Sequence, residues 1–440
     1  MWSEKTTFHA IPNIVANEQM PLKLMWSICL IASVSYCCRI LTFSIIDYYQ
    51  YKVLTKFEIV AESASNFPTI TICNLNPYDL SKNRSLGELS RRNLIGDGTV
   101  VDPAELFALG KQRFLSLADA SALARLKFTM SDMLVSCYFN ETACNRSDFR
   151  LIENEAYGNC YAFNSNMNEE SRLTSEVRRT NKYKASLRLE LFVGNNESMS
   201  PMAMRSGAIM FIKNHTTGSV VGETGLELKP RTQTEVMLNR MVIKKLPMPF
   251  NDCVDEPVDS SFVSYTQELT MRTFGYYDQE ICRQLFYQRL LVAQCNCYDS
   301  RFVFMFDTSA KLYSCTQLLL PNACYKQMRS RFLANTLNSS NECPSGCESI
   351  NYKPLLHYSE YPSDFYKQIL VKNGEVVDKL AATRDKKELK KISELDFRSS
   401  LLMVDVYFES DSYTKITEVP ETSFSQLLAN LGGQFGLFLG

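Results

Sequence analysis

Histidine is nearly absent from this chain: three residues in 440, at His9, His215 and His357. That leaves little material for a histidine-based pH switch or for histidine general-base catalysis. No G-x-S-x-G, no H-E-x-x-H and no P-loop occurs, which removes the common signatures of hydrolases, zinc peptidases and nucleotide-binding enzymes. An ectoenzyme reading therefore has no catalytic constellation to rest on, and no cofactor or metal is expected. Charge of one sign is also lacking. The net charge of −1 offers no basic field for nucleic acid. There is no tandem repeat and no low-complexity linker. A cleavable apolar leader is missing too, because the first twenty residues carry Glu4, Lys5, His9 and Glu18.

Cysteine, by contrast, is abundant, with fifteen in the chain. Cys29, Cys37 and Cys38 lie in an apolar stretch near the N-terminus, and the other twelve fall between Cys73 and Cys347. An even number suits a closed disulfide framework. Six N-x-[ST] acceptors, at Asn83, Asn140, Asn145, Asn196, Asn214 and Asn338, fall in the same region. Cysteines and acceptors together point to an oxidising lumen. The spacings Cys295-x-Cys297 and Cys343-x-x-x-Cys347 also admit a zinc reading, which the sequence alone leaves open.

Long apolar runs are few. Leu22 to Ile46 reaches the ~20 residues a membrane span needs, with only Lys23 and Arg39 charged. An arginine at that depth should face a neighbouring helix or water, or snorkel. Orientation follows from the glycosylation acceptors: residues 1–21 cytoplasmic, 22–47 spanning, 48–425 outside. Tyr48, Tyr49 and Tyr51 then sit where interfacial aromatics belong. Alternation and β-branched content predict strands over 68–73, 185–193, 207–212, 234–243 and 401–408, and His357 falls in a further strand. Helical patterning covers 104–126 and 278–293, and 384–394 reads as a charged, solvated helix. The chain closes on LLANLGGQFGLFLG, in which Gly432, Gly436 and Gly440 recur every four residues beside Gly433. On a helix they share a face without side chains, which lets another backbone approach closely. By itself this stretch fits either the start of a second membrane helix (426–440) or an apolar helix in a soluble core.

Within this layout, several stretches resemble one family, the degenerin/epithelial sodium channel superfamily. The residues that carry the likeness are FPTITICNLNP (67–77), GNCYAFN (158–164), LPMPFNDC (246–253), 278–299 with its C-x-C, CPSGCESINY (343–352), YPS (361–363) and LGGQFGLFLG (431–440). They occur in the family's order and cover nearly the whole chain. The resemblance implies a membrane α+β fold. Two transmembrane helices flank a large disulfide-rich ectodomain with a β-sheet core and a stapled helical module. It also implies the pairs Cys73–Cys160, Cys137–Cys144, Cys253–Cys347, Cys282–Cys343, Cys295–Cys324 and Cys297–Cys315. A further rung common in the family is missing here, since its positions are Phe286 and Asn341.

The function so implied is that of one subunit of a trimeric, amiloride-sensitive sodium channel in the plasma membrane, gated through the ectodomain. Its partners would be sodium ions, the bilayer and related subunits in a homo- or heterotrimer. Gly440 matches the first residue of the Gly-x-Ser filter, so the remaining filter residues would lie beyond position 440. Ala429 matches the small residue needed for closure. Tyr51 and Phe250 match an aromatic pair that couples the ectodomain to the first helix. His9 matches the first half of a His-Gly gating pair, but Ala10 stands where the family has glycine, which reaches backbone conformations that alanine resists. That departure sustains a second expectation, a non-conducting modulatory or receptor-like subunit.

Overall fold

The structure, a computed structural model, describes residues 10–439 apart from 63, 84, 90–109, 111–113, 115–119, 155, 166–173, 177–185, 195–198, 215–224, 255–263, 275–276, 300–301, 303–311, 316–322, 335, 338–341 and 373–397. The chain divides into two units. One gathers 1–58, 244–254 and 416–440; the other holds 59–243 and 255–415.

The first unit begins with helix α1, Ala10–Ala16, and helix α2, Met20–Tyr48. Pro21 sits in the first turn of α2, where its missing N–H is one the helix could not have bonded anyway. Twenty-nine residues rise about 43 Å at 1.5 Å each, more than the ~30 Å hydrocarbon core. Among the described residues, α2 is the one helix long and apolar enough to cross a membrane. The chain leaves it through Tyr51, a non-glycine residue in the left-handed region with φ 50°. Strand β1, Val53–Ala61, follows. At the other end of the chain, β19, Ser412–Pro420, leads into the last helix, α9, Phe424–Leu439. A capping box starts α9: Ser423 Oγ accepts the Gln426 N–H at 3.2 Å and Gln426 Oε1 accepts the Ser423 N–H at 2.8 Å. The sixteen residues of α9 rise about 24 Å, short of a full span, so a second crossing is not established by this helix.

The second unit is built on two sheets. The first sheet orders β12 (Thr232–Lys244), β18 (Leu401–Phe408), β9 (Ser186–Phe192), β4 (Leu134–Phe139) and β5 (Thr142–Ala143), and β17 (Glu348–Glu360) also pairs with β12. Strand β18 runs parallel to β12 and antiparallel to β9, and all eight of its residues are buried. Burial on both faces explains why its sequence is an unbroken apolar run interrupted only by Asp405. That carboxylate is paired with Arg188 Nε at 2.7 Å and Gln233 Nε2 at 2.7 Å. The second sheet is antiparallel, in the order β11 (Leu226–Leu228), β10 (Ala208–Lys213), β3 (Thr69–Asn74), β7 (Gly158–Phe163) and β6 (Phe149–Asn154). A short pair joins β2 (Ala64–Asn66) and β8 (Thr174–Glu176).

One apolar core holds both sheets. Leu187, Leu189 and Leu191 with Val404, Val406 and Phe408 supply it from the first, at the two-residue spacing of a strand face. Ile70, Ile72, Phe163 and Met210 supply it from the second. Phe163 is 1% exposed, and its ring lies 5.4 Å from Phe139, 5.5 Å from Phe149 and 6.4 Å from Phe67. Short helices α3 (Ala120–Leu126) and α4 (Met130–Met133) precede β4. Of the helical stretch expected over 104–126, α3 is the part that can be followed; most of the rest, and all of 384–394, lies outside the described residues.

The helical module contains α5 (Tyr265–Phe274), α6 (Gln279–Cys295) and α7 (Ala323–Leu333). Asp278 caps α6 at its start, accepting the Ile281 N–H, and Asn296 in the left-handed region ends it. Tyr287 of α6 stacks on Phe332 of α7 at 4.4 Å. Beyond α6 come the paired short strands β14 (Cys297–Tyr298) and β15 (Tyr313–Ser314). Strand β13, Cys253–Val254, belongs to the first unit, and β16, Ser345–Gly346, precedes β17. Helix α8, Asp364–Lys372, is tethered to β9 through the buried Glu190, which accepts from Tyr366 Oη at 2.6 Å, Tyr361 Oη at 3.1 Å and Ser136 Oγ at 2.7 Å. Three donors on one carboxylate offset its desolvation.

Substituting Phe163→Ala empties the centre of the aromatic cluster and costs about 3–5 kcal/mol. The unfolding midpoint of the detergent-solubilised chain should fall by roughly 10 °C; an unchanged midpoint would place the core elsewhere.

Candidate functional site

The site lies in the first unit, where α2 and α9 pack and a loop meets the chain just after α2 and just before α9. Ser33 Oγ of α2 donates to the Phe438 carbonyl of α9 at 2.8 Å. Gln434 Nε2 of α9 donates to Ser44 Oγ at 3.2 Å. The rings of Tyr36 and Phe438 meet edge to face at 5.3 Å. On α9, Leu427, Leu431, Gln434 and Phe438 are spaced four, three and four residues apart and so share one stripe. Leu427 is buried, while Leu431 is half-buried.

Ala429, Gly432, Gly433 and Gly436 fall on the opposite side of α9, at ~100° of rotation per residue, and all four are exposed. A methyl group added at Gly432, Gly433 or Gly436 would meet nothing within 4 Å. Among the described residues, nothing therefore needs glycine there. Gly440 lies outside the described residues. Arg39 does not face α9: it is exposed on the other side of α2, its guanidinium 5.7 Å from the Phe43 ring.

Just beyond the C-terminal end of α2, Tyr51 packs edge to face on Phe250 with ring centroids 5.5 Å apart. Tyr48 and Tyr49 extend the aromatic cluster. The loop bearing Phe250 is held by Glu418 of β19, whose Oε2 accepts the Leu246 N–H at 3.1 Å and Asn251 Nδ2 at 2.7 Å. Reading the sequence singled out Tyr51 and Phe250 but passed over Glu418, Asn251, Ser33 and Gln434. Each is a polar residue whose partner is distant in the chain, and no local pattern marks such pairs.

The cysteines are joined Cys73–Cys160, Cys137–Cys144, Cys282–Cys343, Cys295–Cys324 and Cys297–Cys315. Cys253 and Cys347 are disulfide-bonded as well. Sulfurs held this way are not thiolates, so Cys295, Cys297, Cys343 and Cys347 do not form the zinc site that their spacing also admitted. Cys29, Cys37 and Cys38 on α2 are free thiols. Phe286, one of the two positions at which the resemblance implies a further disulfide, is partly buried against the cluster of Tyr277, Cys282 and Cys343; Asn341 lies outside the described residues.

The glycosylation acceptors are unequal. Asn83 and Asn145 are exposed and Asn140 is half-buried in the left-handed region. Asn214 is only 8% exposed, which makes it a poor acceptor for a glycan. Asn196 and Asn338 lie outside the described residues, as do His9 and His215. Ala10 opens α1, a conformation alanine favours, and His357 is exposed on β17.

Two carboxylates meet around one lysine in the second unit. Burial pushes the Asp79 carboxyl above its ordinary value, against hydrogen bonds from the Ser81 hydroxyl and N–H and the charge of Lys82. For Asp132 burial also acts upward, but Lys82 at 2.7 Å and the Thr129 N–H and hydroxyl outweigh it, and the carboxyl lies below its ordinary value.

Comparison with known proteins adds a family match and three relatives. The family model described as "Amiloride-sensitive sodium channel" matches residues 2–440. Acid-sensing ion channel 1 of Gallus gallus is 25% identical over 466 residues, covering 100% of this chain and 80% of its own length. A degenerin-like protein of Caenorhabditis elegans is 23% identical over 470 residues, covering 100% and 83%. The alpha subunit of the Xenopus laevis epithelial sodium channel is 22% identical over 315 residues, covering 71% of this chain and 45% of that one.

Two outcomes follow from this geometry. In a double-mutant cycle, Tyr51→Ala and Phe250→Ala should couple by about 0.5–1.5 kcal/mol in unfolding free energy, and strict additivity would mean the rings do not interact. Because the Asp132 pKa is depressed by folding, its contribution is present above the ordinary value of 3.8 and is lost as the pH falls through the folded value. Asp132→Asn should therefore cost about 1–2 kcal/mol at pH 7 and progressively less below pH ~3.8. An equal deficit in thermal unfolding at pH 7 and pH 3 would contradict this.

Proposed function

Because the chain belongs to the amiloride-sensitive sodium channel family, matched over residues 2–440, we propose that it is one subunit of a trimeric, amiloride-sensitive, sodium-conducting channel gated through its extracellular domain. The observation that carries this reading is the bare face of α9. A bilayer forces ions through a path lined by protein polar groups, and two helices cannot enclose one. Three copies can, each with α2 outward and α9 toward the axis. Ala429, Gly432, Gly433 and Gly436 are then free to meet their counterparts, and their missing side chains suit close approach.

In this arrangement residues 1–21 are cytoplasmic, α2 is the first span, residues 48–425 are extracellular and 426–440 open the second span in the plasma membrane. Gly440 begins the filter and Ala429 permits closure. His9 supports gating from inside. The pair Cys253–Cys347 completes the disulfide set, and glycans occupy the exposed acceptors Asn83 and Asn145. Motion of the extracellular domain reaches α2 through Phe250 and Tyr51. The partners are sodium ions, lipid and further subunits, identical or related. One observation favours the alternative of a non-conducting modulatory subunit: Ala10 opens a helix where the family resemblance implies glycine.

The test is whole-cell recording in sodium from the full-length protein expressed alone, with and without amiloride, while external pH is lowered, for the native chain and for Ala429→Phe. The proposal expects an amiloride-blocked sodium current, larger in Ala429→Phe because a bulky ring props the pore open. Silence from both, with the protein confirmed at the cell surface, would overturn the homomeric channel in favour of the modulatory subunit.

A further inference from the structure

The loop that carries Phe250 is tied at two points. Its ring meets Tyr51 at 5.5 Å, at the outer end of α2. It is fastened to β19, six residues before α9 begins: Glu418 Oε2 accepts the Leu246 N–H at 3.1 Å and Asn251 Nδ2 at 2.7 Å. The loop is also closed on itself. Asn251 Nδ2 donates to the Leu246 carbonyl at 3.0 Å, and the Phe250 N–H donates to the Pro247 carbonyl at 3.0 Å. A third tie completes a circuit, since the Glu421 N–H donates to the Lys52 carbonyl at 2.9 Å. Lys52 itself pairs with Asp47, so the neighbouring ammonium is engaged elsewhere.

We infer that Glu418 is a positioning residue that locks the 246–251 loop to the strand entering α9, so that displacement of Phe250 moves both helices together rather than α2 alone. This rests on the channel reading above and deepens it. Ring contact by itself transmits push but little pull, and it slides. A carboxylate oxygen with two converging N–H donors is directional and charge-assisted. Removing it strands two donors in a half-buried place and frees the loop from β19 while leaving Tyr51 and Phe250 in the chain. The clamp therefore predicts a separation that a general folding role does not: transmission fails while the pore remains able to conduct.

The experiment uses the full-length chain at the cell surface. Against native Ala429, Glu418→Ala and Asn251→Ala should each lower sodium current about tenfold at equal surface density, the double variant no further than either single one. Glu418→Gln keeps an acceptor oxygen and should stay within about twofold of native. In Ala429→Phe, propped open below the clamp, Glu418→Ala should change current less than about twofold. A second readout needs no conduction. Lys244 and Lys245 are exposed immediately before the loop, so external trypsin should cut after Lys245 about tenfold faster in Glu418→Ala than in native chain, read after reduction as the fragment beginning at Leu246. Equal loss of current in both backgrounds, additive singles, or an unchanged cleavage rate would each overturn the clamp. If neither native chain nor Ala429→Phe conducts, the channel reading fails, and the trypsin rate still decides whether Glu418 holds the loop.

Discussion

The two faces of α9 are the constraint on which the rest of the account depends. One face is occupied: Gln434 and Phe438 meet Ser44, Ser33 and Tyr36 of α2. The other has almost no side chains, and among the described residues nothing lies within 4 Å of a methyl group added at its glycines. In lipid there is no hydrophobic drive to press helices together, so contact must come from packing and hydrogen bonds. Two serines and a glutamine supply the second within the chain. They also set the rotation of α9, which decides what the bare face presents. In the proposed channel, this small-residue face is the one that further copies would meet.

Under the proposed channel reading the ectodomain would need a way to move that helix, and the first unit holds contacts suited to it. The 244–254 segment is far in sequence from both helices yet lies in the same unit with them. It reaches α2 through an aromatic edge and β19 through a carboxylate. The second unit is stiff where stiffness helps: two sheets share one core, and the helical module is cross-linked by Cys282–Cys343, Cys295–Cys324 and Cys297–Cys315. Cross-links of this kind restrict the unfolded chain and let a modest core carry long excursions.

Much of this was legible in the amino-acid sequence, and the reason is periodicity. Leu187, Leu189 and Leu191 alternate because β9 has one face on the core, and 401–408 is apolar throughout because β18 is buried on both faces. Helix α2 shows in hydropathy because it is apolar over a length sufficient to cross a membrane. What escaped is what depends on tertiary encounters. Glu418 is one of forty-eight acidic residues, and only the fold shows that it meets the 246–251 loop. Asn214 carries a correct acceptor triplet, yet it follows directly on β10 and is buried. Of the three places open to Arg39 (a neighbouring helix, water, or snorkelling) the sequence could not choose, and the fold leaves it exposed beside Phe43.

The central claim is that the bare face of α9 is completed by other copies. Counting subunits tests it most directly: a fluorescent protein fused to the full-length chain, expressed alone at low density, with stepwise photobleaching of single spots at the cell surface. The account predicts spots that bleach in up to three steps, distributed as for three subunits with incomplete labelling. Spots that bleach in a single step would mean that the glycine face of α9 has no counterpart of its own kind, and would contradict it.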